Sequence, residues 1–321
     1  METRTLPARR LGDLVVGAIG LGCMPMSWGY NAADADPAES RATLHRAVEL
    51  GVTLFDTSDV YGPYTNETLL GEYLVNDGLR DQVVIATKCG LIPYSVTSYG
   101  RDGSPAHVRD ACDASLKRLR TDRIDLYQLH RVDPQVPIEE TWGAMAALVE
   151  AGKVCYLGLS EVTVDEIRRA DAIYPVSSVQ SELSIWTSEN VDNGVLAYCR
   201  EHDIGFLAFS PLGRGYLTGA LDHSAIHDDD FRSTNPRFTA EAMAANTAIV
   251  RGIAAVAERH GATAAQIALA WLLRQAPNVV PIPGTKRRKW LEENVASVRV
   301  DLTDQDLADI AALPKSVAPR Y

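Results

Sequence analysis

The chain has 321 residues and carries 31 basic against 42 acidic side chains, a net charge of −11 that argues against nucleic acid or anionic lipid as its main partner. Apolar residues make up 46% and charged ones 23%, near the globular average, so a sizeable core can be buried without disulfides. The five cysteines, Cys23, Cys89, Cys112, Cys155 and Cys199, are odd in number and never spaced CxxC, which reads as reduced thiols.

The opening METRTLPARR is charged and lacks an apolar run, and no later segment approaches a membrane span in length. A soluble, unexported, cytoplasmic protein is expected. A single domain over 1–321 is expected as well, because α/β barrels reach this length undivided and no Gly-Ser linker or charge block splits the chain. Nothing in the sequence distinguishes a monomer from a homo-oligomer.

After the short segment RTLPARRLGDLVVGA, the first strand candidate is GAIGLGC. Its glycines are spaced G-x-x-G-x-G, and no strand precedes them as a dinucleotide fingerprint requires, so no Rossmann domain is read here. VTLFDT and QVVIATK follow. Ser104-Pro105 then opens the helix SPAHVRDACDASLKRL, whose Val108, Cys112, Ser115, Leu116 and Leu119 share one face. RIDLYQLH and KVCYLGLS are the next strands, and TVDE from Thr163 has the form of a capping box. SSVQSE and IGFLAFS precede the longest aperiodic stretch, 219–238, and loops of that length in compact domains tend to be functional. NVVPIPG is the last strand, and TDQD from Thr303 starts a closing helix. Short strands, apolar on both faces and separated by helices, predict an α/β fold built as a (β/α)8 barrel, a TIM barrel, rather than an open doubly wound sheet.

In such a barrel the active site lies at the C-terminal ends of the strands. The strand within VTLFDT ends at Asp56 with Tyr61 just beyond, QVVIATK ends at Lys88, and RIDLYQLH ends at His130. Each alone has a bland reading: Asp56 as a turn cap, Tyr61 as a rim aromatic, Lys88 as the first solvated residue, His130 as a satisfied core histidine. Together, from three consecutive strands, they form a proton-donating set. A phenol titrates near ~10, too high for efficient donation at neutral pH, and the Lys88 ammonium is expected to lower that value. Asp56 is expected to pair with Lys88 and hold it at depth, and His130 to orient the substrate oxygen. A carbonyl oxygen needs such a donor as it receives hydride. The competing chemistry is a Schiff base on Lys88, which requires that lysine to be desolvated and not paired with Asp56.

The motifs FDTSDVYG, VVIATK, DLYQLH, YLGLSE, VQSELS, FSPLGRG and PIPGTKRRKWLEENV together resemble the aldo-keto reductases, from about Leu11 to Asp309. CMPMSWGYN, GLSE, SPLGRGYLTG and NPRF resemble most the branch that includes perakine and pyridoxal reductases. The resemblance implies a barrel whose bottom is closed by an N-terminal β-hairpin. It also implies Tyr61 as general acid, supported by Asp56, Lys88 and His130, and NADP(H) bound across the rim without a Rossmann domain.

None of the four side chains can supply hydride, so a nicotinamide is required. By the resemblance, Ser160 and Gln180 hydrogen-bond its carboxamide and Phe209 stacks on its ring, with Ser210, Pro211, Leu212, Gly213 and Arg214 following along the pyrophosphate. The stretch GTKRRK from Gly284 puts four basic side chains at a helix start, a phosphate-binding pattern in an acidic chain, although a solvated basic face reads the same way in isolation. The resemblance assigns it the 2′-phosphate, with Gly284, Thr285, Lys286 and Arg287 in contact and Glu293 and Asn294 near the adenine. Glu161 stands where much of the superfamily has Asn.

The HDDDF run at His227–Phe231 offers hard ligands but no supporting metal spacing, so no metal is expected. Cys23 and Cys89 adjoin the expected site and would be oxidation-sensitive if exposed. Met24, Trp28, Tyr30, Tyr64, Tyr94, Tyr99 and Trp186 fall in or near the loops that set specificity, so a small-molecule carbonyl substrate, aldehydes ahead of bulky ketones, is expected. The alternative is a regulatory protein like the potassium-channel β-subunits that the resemblance also covers, which hold NADPH and turn over slowly. The barrel is expected to begin almost at once, and no inactivation segment is expected ahead of it.

Overall fold

The structure is a computed structural model that describes residues 6–30, 34–95, 98–228 and 230–320. Asn31 of CMPMSWGYN, Asp229 of HDDDF and the N-terminal residues 1–5 lie outside the described residues.

An antiparallel hairpin comes first, β1 (Ala8–Leu11) with β2 (Leu14–Gly17). The chain then runs through β3 (Leu21–Gly22), α1 (Pro37–Glu49), β4 (Leu54–Asp56), α2 (Thr65–Leu70) and β5 (Val84–Cys89). A second hairpin, β6 (Leu91–Pro93) and β7 (Tyr99–Arg101), is inserted before α3 (Pro105–Leu119). Alternation resumes with β8 (Ile124–Leu129), α4 (Ile138–Glu150), β9 (Val154–Ser160), α5 (Val164–Asp171) and β10 (Ser178–Glu182). The remainder is α6 (Glu189–Asp192), α7 (Val195–Glu201), β11 (Gly205–Phe209), α8 (Ala240–Ala245), α9 (Thr247–His260), α10 (Ala264–Gln275), β12 (Val279–Pro281), α11 (Arg288–Ala296) and α12 (Asp304–Ala311).

β3, β4, β5, β8, β9, β10, β11 and β12 form one parallel sheet of eight strands in that order. The first and last strands meet: Gly22 bridges Gly284, Gly20 N–H donates to Pro281 O at 3.0 Å, and Gly22 N–H donates to Pro283 O at 3.2 Å. A Cβ on Gly22 would lie 2.9 Å from Ile282 O, so glycine is what lets this seam close. This is the predicted (β/α)8 barrel.

The caps form where the sequence put them. Ser104 accepts from His107 N–H with Pro105 in the first turn, and Thr163 with Glu166 and Thr303 with Asp306 each make reciprocal capping boxes. On α3, Val108, Cys112, Ser115 and Leu119 are buried, while Leu116 is half-buried at the edge of the stripe.

Strand side chains alternate between faces with period two. Outward residues such as Phe55, Ile85, Tyr127, Leu157 and Phe206 pack under the helices. Inward, Leu54, Ala86, Leu126, Leu207 and Val280 form a layer closed from below by Leu11, Leu14 and Val16 of the first hairpin. Leu11 sits so tightly on β11 that a Cβ on Gly205 would come within 2.5 Å of its Cα. The hairpin therefore plugs the N-terminal end of the barrel, as the resemblance implied.

Candidate active site

Two residues beyond Leu54, Ala86 and Leu126, the same inward faces carry Asp56, Lys88 and Gln128, and Gln180 of β10 joins them. Strand register sets Lys88 opposite Gln128 and Gln128 opposite Gly158. A Cβ on Gly158 would lie 2.9 Å from Gln128 Cγ, so the glycine opens the space through which Gln128 extends. Lys88 is fully buried and donates from Nζ to Asp56 Oδ1 at 2.6 Å, to Thr57 O at 2.8 Å and to the Tyr61 hydroxyl at 3.3 Å. Asp56 Oδ2 accepts from Gln128 Nε2 at 3.2 Å and from Gln180 Nε2 at 2.7 Å. Gln180 Nε2 also donates to Gln128 Oε1 at 3.1 Å. A buried ion pair is tolerable when its remaining polar atoms are satisfied, and the two amides do this for Asp56.

Burial disfavours the Lys88 ammonium, but Asp56 and Tyr61 outweigh it and its pKa is raised. Lys88 is thus a firmly charged, paired ammonium and a poor nucleophile, which removes the condition a Schiff-base chemistry requires. The expected lowering at Tyr61 is reversed. Burial pushes the phenol above its ordinary value, and the help from Lys88 is partly cancelled by Asp56 beside it. His130 is held well below the ordinary histidine value by burial and by the charges of Lys88 and Arg131, so its ring is neutral at neutral pH. Its Nδ1 lies 3.1 Å from Ser58 Oγ. The Tyr61 and His130 rings meet edge to face, with centroids 5.9 Å apart.

A cavity of about 850 Å³ opens over this layer, with Asp56, Tyr61, His130, Ser160, Gln180 and Phe209 in its floor and walls. It continues past Ser210, Pro211, Leu212 and Arg214 to Gly284, Thr285, Lys286 and Arg287 at the start of α11. Gly213 is buried just behind it, and Glu293 and Asn294, one turn into α11, are not among the lining residues; the Glu293 carboxylate accepts from Thr263 Oγ1 at 2.8 Å. Of the other GTKRRK cations, Arg288 pairs with Glu39 at 2.8 Å and Lys289 lies over the Trp290 ring. Burial lowers the Lys286 pKa, with the Arg287 charge acting the same way.

Ser160 Oγ accepts from Arg131 Nη1 at 3.0 Å, a contact to a residue that the sequence reading passed over. Gln128, Ser58 and Arg131 were all missed, although the period of RIDLYQLH places Gln128 on the face of His130. Glu161 is turned away from the cavity. It has φ 55°, accepts from Glu182 N–H at 3.0 Å and pairs with Arg320.

The described residues of the 219–238 stretch include three short 3-10 turns, His223–Ala225, Phe231–Thr234 and Pro236–Phe238, the last two at the mouth of the cavity. Phe231 N–H donates to Gly29 O at 3.0 Å, Arg232 Nη1 donates to Arg214 O at 3.2 Å, and Phe231, Arg232, Thr234, Asn235 and Pro236 line the cavity. Asp230 is engaged by Arg232 at 2.7 Å. Buried Glu182 is paired to Arg214 at 3.3 Å and to Arg320 at 3.7 Å, and Asn235 donates to Arg320 O at 2.7 Å, so the C-terminal segment ties these turns in place.

Of the expected specificity aromatics, Trp28, Tyr30 and Tyr99 line the cavity with Met24. Trp28 stands 5.7 Å from the rings of both Tyr61 and Tyr99. Tyr64 and Tyr94 project into solvent, and Trp186 is buried against Tyr216 and Phe238. Cys23 and Cys89 are fully buried with thiol pKa values raised by that burial, so neither is the accessible thiolate that oxidation requires. Among the described residues no helix is long and apolar enough to cross a membrane.

Comparison with known proteins gives a consistent answer. Residues 18–315 match the model of the aldo/keto reductase family. A soybean (Glycine max) protein named probable aldo-keto reductase 1 is 43% identical over 298 residues, covering 92% of this chain and 84% of its own. A glycerol dehydrogenase from Gluconobacter oxydans superimposes with a TM-score of 0.85 at 27% identity, covering 100% of this chain and 99% of the other. A thermostable aldo-keto reductase solved with the inhibitor epalrestat gives 0.76 at 27% identity, covering 96% of this chain and 100% of that one.

Proposed function

The chain belongs to the aldo/keto reductase family of oxidoreductases, and from that premise we propose that it reduces aldehydes, and some ketones, with NADPH, using Tyr61 as the general acid. The observation that carries the reading is the contact set of one ammonium: Lys88 Nζ reaches both Asp56 Oδ1 at 2.6 Å and the Tyr61 hydroxyl at 3.3 Å on the floor of the cavity.

A nicotinamide dinucleotide, when bound, supplies the hydride. The chain's residues do the rest. Tyr61 gives its hydroxyl proton to the substrate oxygen. Lys88, anchored by Asp56, offsets the charge that develops on Tyr61, and neutral His130 presents a ring nitrogen to the same oxygen. Run in reverse, Tyr61 accepts the proton, as alcohol oxidation of the kind named for the Gluconobacter relative requires.

The cavity suits an extended dinucleotide. Both Gln180 amide protons are spent on Asp56 and Gln128, which leaves its carbonyl oxygen to accept from a carboxamide. Ser160 accepts from Arg131 and keeps its own proton to donate. Phe209 lines the cavity beside Ser210, where a nicotinamide ring would stack. The turn from Ser210 to Gly215, with φ 49° at Ser210, 56° at Arg214 and 96° at Gly215, runs along the cavity where a pyrophosphate would lie. Lys286 and Arg287 at the far end suit a 2′-phosphate, which favours NADPH over NADH.

Met24, Trp28, Leu91 and Tyr99 make the substrate end apolar and aromatic, which supports benzaldehyde-type substrates. The segments that suggested the perakine and pyridoxal reductase branch contribute Met24, Trp28, Ser160, Ser210 and Asn235 to these walls, and we extend the reading to that branch.

The test is NADPH oxidation, followed by nicotinamide absorbance, with a nitrobenzaldehyde, comparing the wild type with Tyr61→Phe. A robust rate lost in the variant supports the reading. Tight NADPH binding without turnover in the wild type would replace it with the regulatory one.

A further inference from the structure

The reductase reading uses His130 but leaves open which ring nitrogen carries its proton. That is decided behind the ring. Ser58 is fully buried, and its two shortest side-chain contacts put Oγ 3.1 Å from His130 Nδ1 and 3.1 Å from Asp59 Oδ1; at a longer 3.4 Å it also meets the Lys88 carbonyl as donor and the Val60 N–H as acceptor. Asp59 is itself buried, at 3% exposure. Resting on the reading above, we propose that Asp59 acts through Ser58 as a positioning residue that sets the tautomer of His130, and with it whether the ring meets a carbonyl oxygen as donor or acceptor.

Along the two 3.1 Å contacts, shorter than the one to the Lys88 carbonyl, the proton count admits two arrangements. With Asp59 protonated, its O–H donates to Ser58 Oγ, the Ser58 hydroxyl donates to Nδ1, and the ring proton is on Nε2, facing the cavity. With Asp59 ionised, the Ser58 hydroxyl turns to the carboxylate and Nδ1 must donate to Ser58 Oγ, because two lone pairs would otherwise face each other. One proton has left for solvent and the ring proton has moved from Nε2 to Nδ1. Nε2 then offers a lone pair where a carbonyl oxygen needs a donor. The first arrangement supports reduction and the second does not.

The surroundings put this change within reach of ordinary conditions. Burial, with the Glu67 charge from α2, pushes the Asp59 carboxyl up to about 7, against Ser58, the Arg118 guanidinium from α3 and the Val60 amide. Cys89 of β5 and Tyr127 of β8 also face Asp59, and both stay protonated because burial raises them. On the ring's side stand Lys88, Arg131 and Tyr61. The two cations, with burial, keep the ring from taking a second proton, so only the tautomer changes.

The test reads the ring directly. In the 15N-labelled full chain, with the His130 signals assigned by their loss in His130→Gln, nitrogen shifts distinguish the tautomers. From mildly acidic to mildly alkaline pH the wild type is expected to pass from Nε2–H to Nδ1–H with a midpoint near the value to which Asp59 is pushed. Asp59→Asn donates permanently to Ser58 and is expected to hold Nε2–H throughout, and Ser58→Ala to lose the midpoint. Single-turnover reduction should fall about 10²-fold across the same midpoint in the wild type and stay level in Asp59→Asn. A single tautomer across the range in the wild type, or a midpoint that persists in either variant, overturns the relay. A ring that titrates as described in a protein that reduces nothing overturns the reductase reading and leaves the relay standing.

Discussion

Gln180 reaches Asp56 across the barrel interior, its side-chain amide donating to Oδ2 at 2.7 Å between residues 124 positions apart in sequence. That bond, with the one from Gln128, completes the hydrogen bonding of a carboxylate whose other oxygen holds Lys88. The polar layer is therefore a single connected unit, and each part of it can be tested separately.

Gln128→Leu removes one donor to Asp56 and leaves a Gln180 N–H facing an apolar group. The expected loss is about 1–3 kcal/mol, because a buried polar atom is left unsatisfied. Urea unfolding checks it through the midpoint. An unchanged midpoint would mean that water or a shifted Gln180 fills the gap without penalty.

Lys88→Met leaves Asp56 buried without a counter-charge, and a loss of about 3–5 kcal/mol is expected. Adding Asp56→Leu should return much of that stability, since an apolar pair of similar volume replaces the ion pair. Turnover should stay lost in both variants. Recovery of activity with recovery of stability would show that the pair serves folding alone.

Tyr61→Phe should lower turnover by roughly two to four orders of magnitude, the range of general acid catalysis, and leave NADPH affinity nearly unchanged. Fluorescence titration and steady-state rates on the same preparation separate the two effects. A drop in affinity that matched the drop in rate would assign Tyr61 to binding.

Removing both cations at the start of α11, Lys286→Ala with Arg287→Ala, should weaken NADPH by about tenfold to a hundredfold, the range for charge-assisted hydrogen bonds. NADH should lose little. Calorimetric titration with each cofactor decides this, and equal losses would remove the 2′-phosphate from this end of the cavity.

Asp306 carries a pH dependence of stability remote from the site. Burial opposes its ionisation, but Thr303, Arg259 and His260 hold its carboxyl below the usual range. A depressed carboxylate stabilises the fold fully above its unfolded pKa of about 3.9, and the contribution is lost as pH falls from there toward the folded value. Asp306→Asn should therefore lower the unfolding midpoint at neutral pH, with the gap to wild type closing in strong acid. A constant gap would mean that the carboxylate adds no pH-dependent stability.

Much of this was legible in the sequence because an apolar strand that ends in a charge is informative locally. Asp56, Lys88 and His130 each close such a run, and the capping boxes at Thr163 and Thr303 are written within four residues. Gln128 was passed over because an amide inside DLYQLH looks like ordinary strand variation; its role depends on strand register with Lys88 and Gly158. The sign of the Tyr61 shift depends on burial and on Asp56 neutralising Lys88, and neither is visible from spacing. Tyr64, Tyr94 and Trp186 sit in connections beyond the barrel strands, as do Trp28 and the β7 residue Tyr99, and only long-range packing separates the exposed and core rings from those that line the cavity.

The dispersal of the polar layer has a consequence for how the chain acquires activity. Asp56 and Lys88 come from adjacent strands early in the chain, but the amides that complete Asp56 arrive with β8 and β10, and the seam between Gly22 and Gly284 joins only when the last strand is in place. Until those strands arrive Asp56 lacks both amide donors, so the carboxylate that anchors Lys88 has its full set of partners only in the closed ring. Regain of the proposed catalysis during refolding is therefore expected to follow closure of the ring rather than collapse alone.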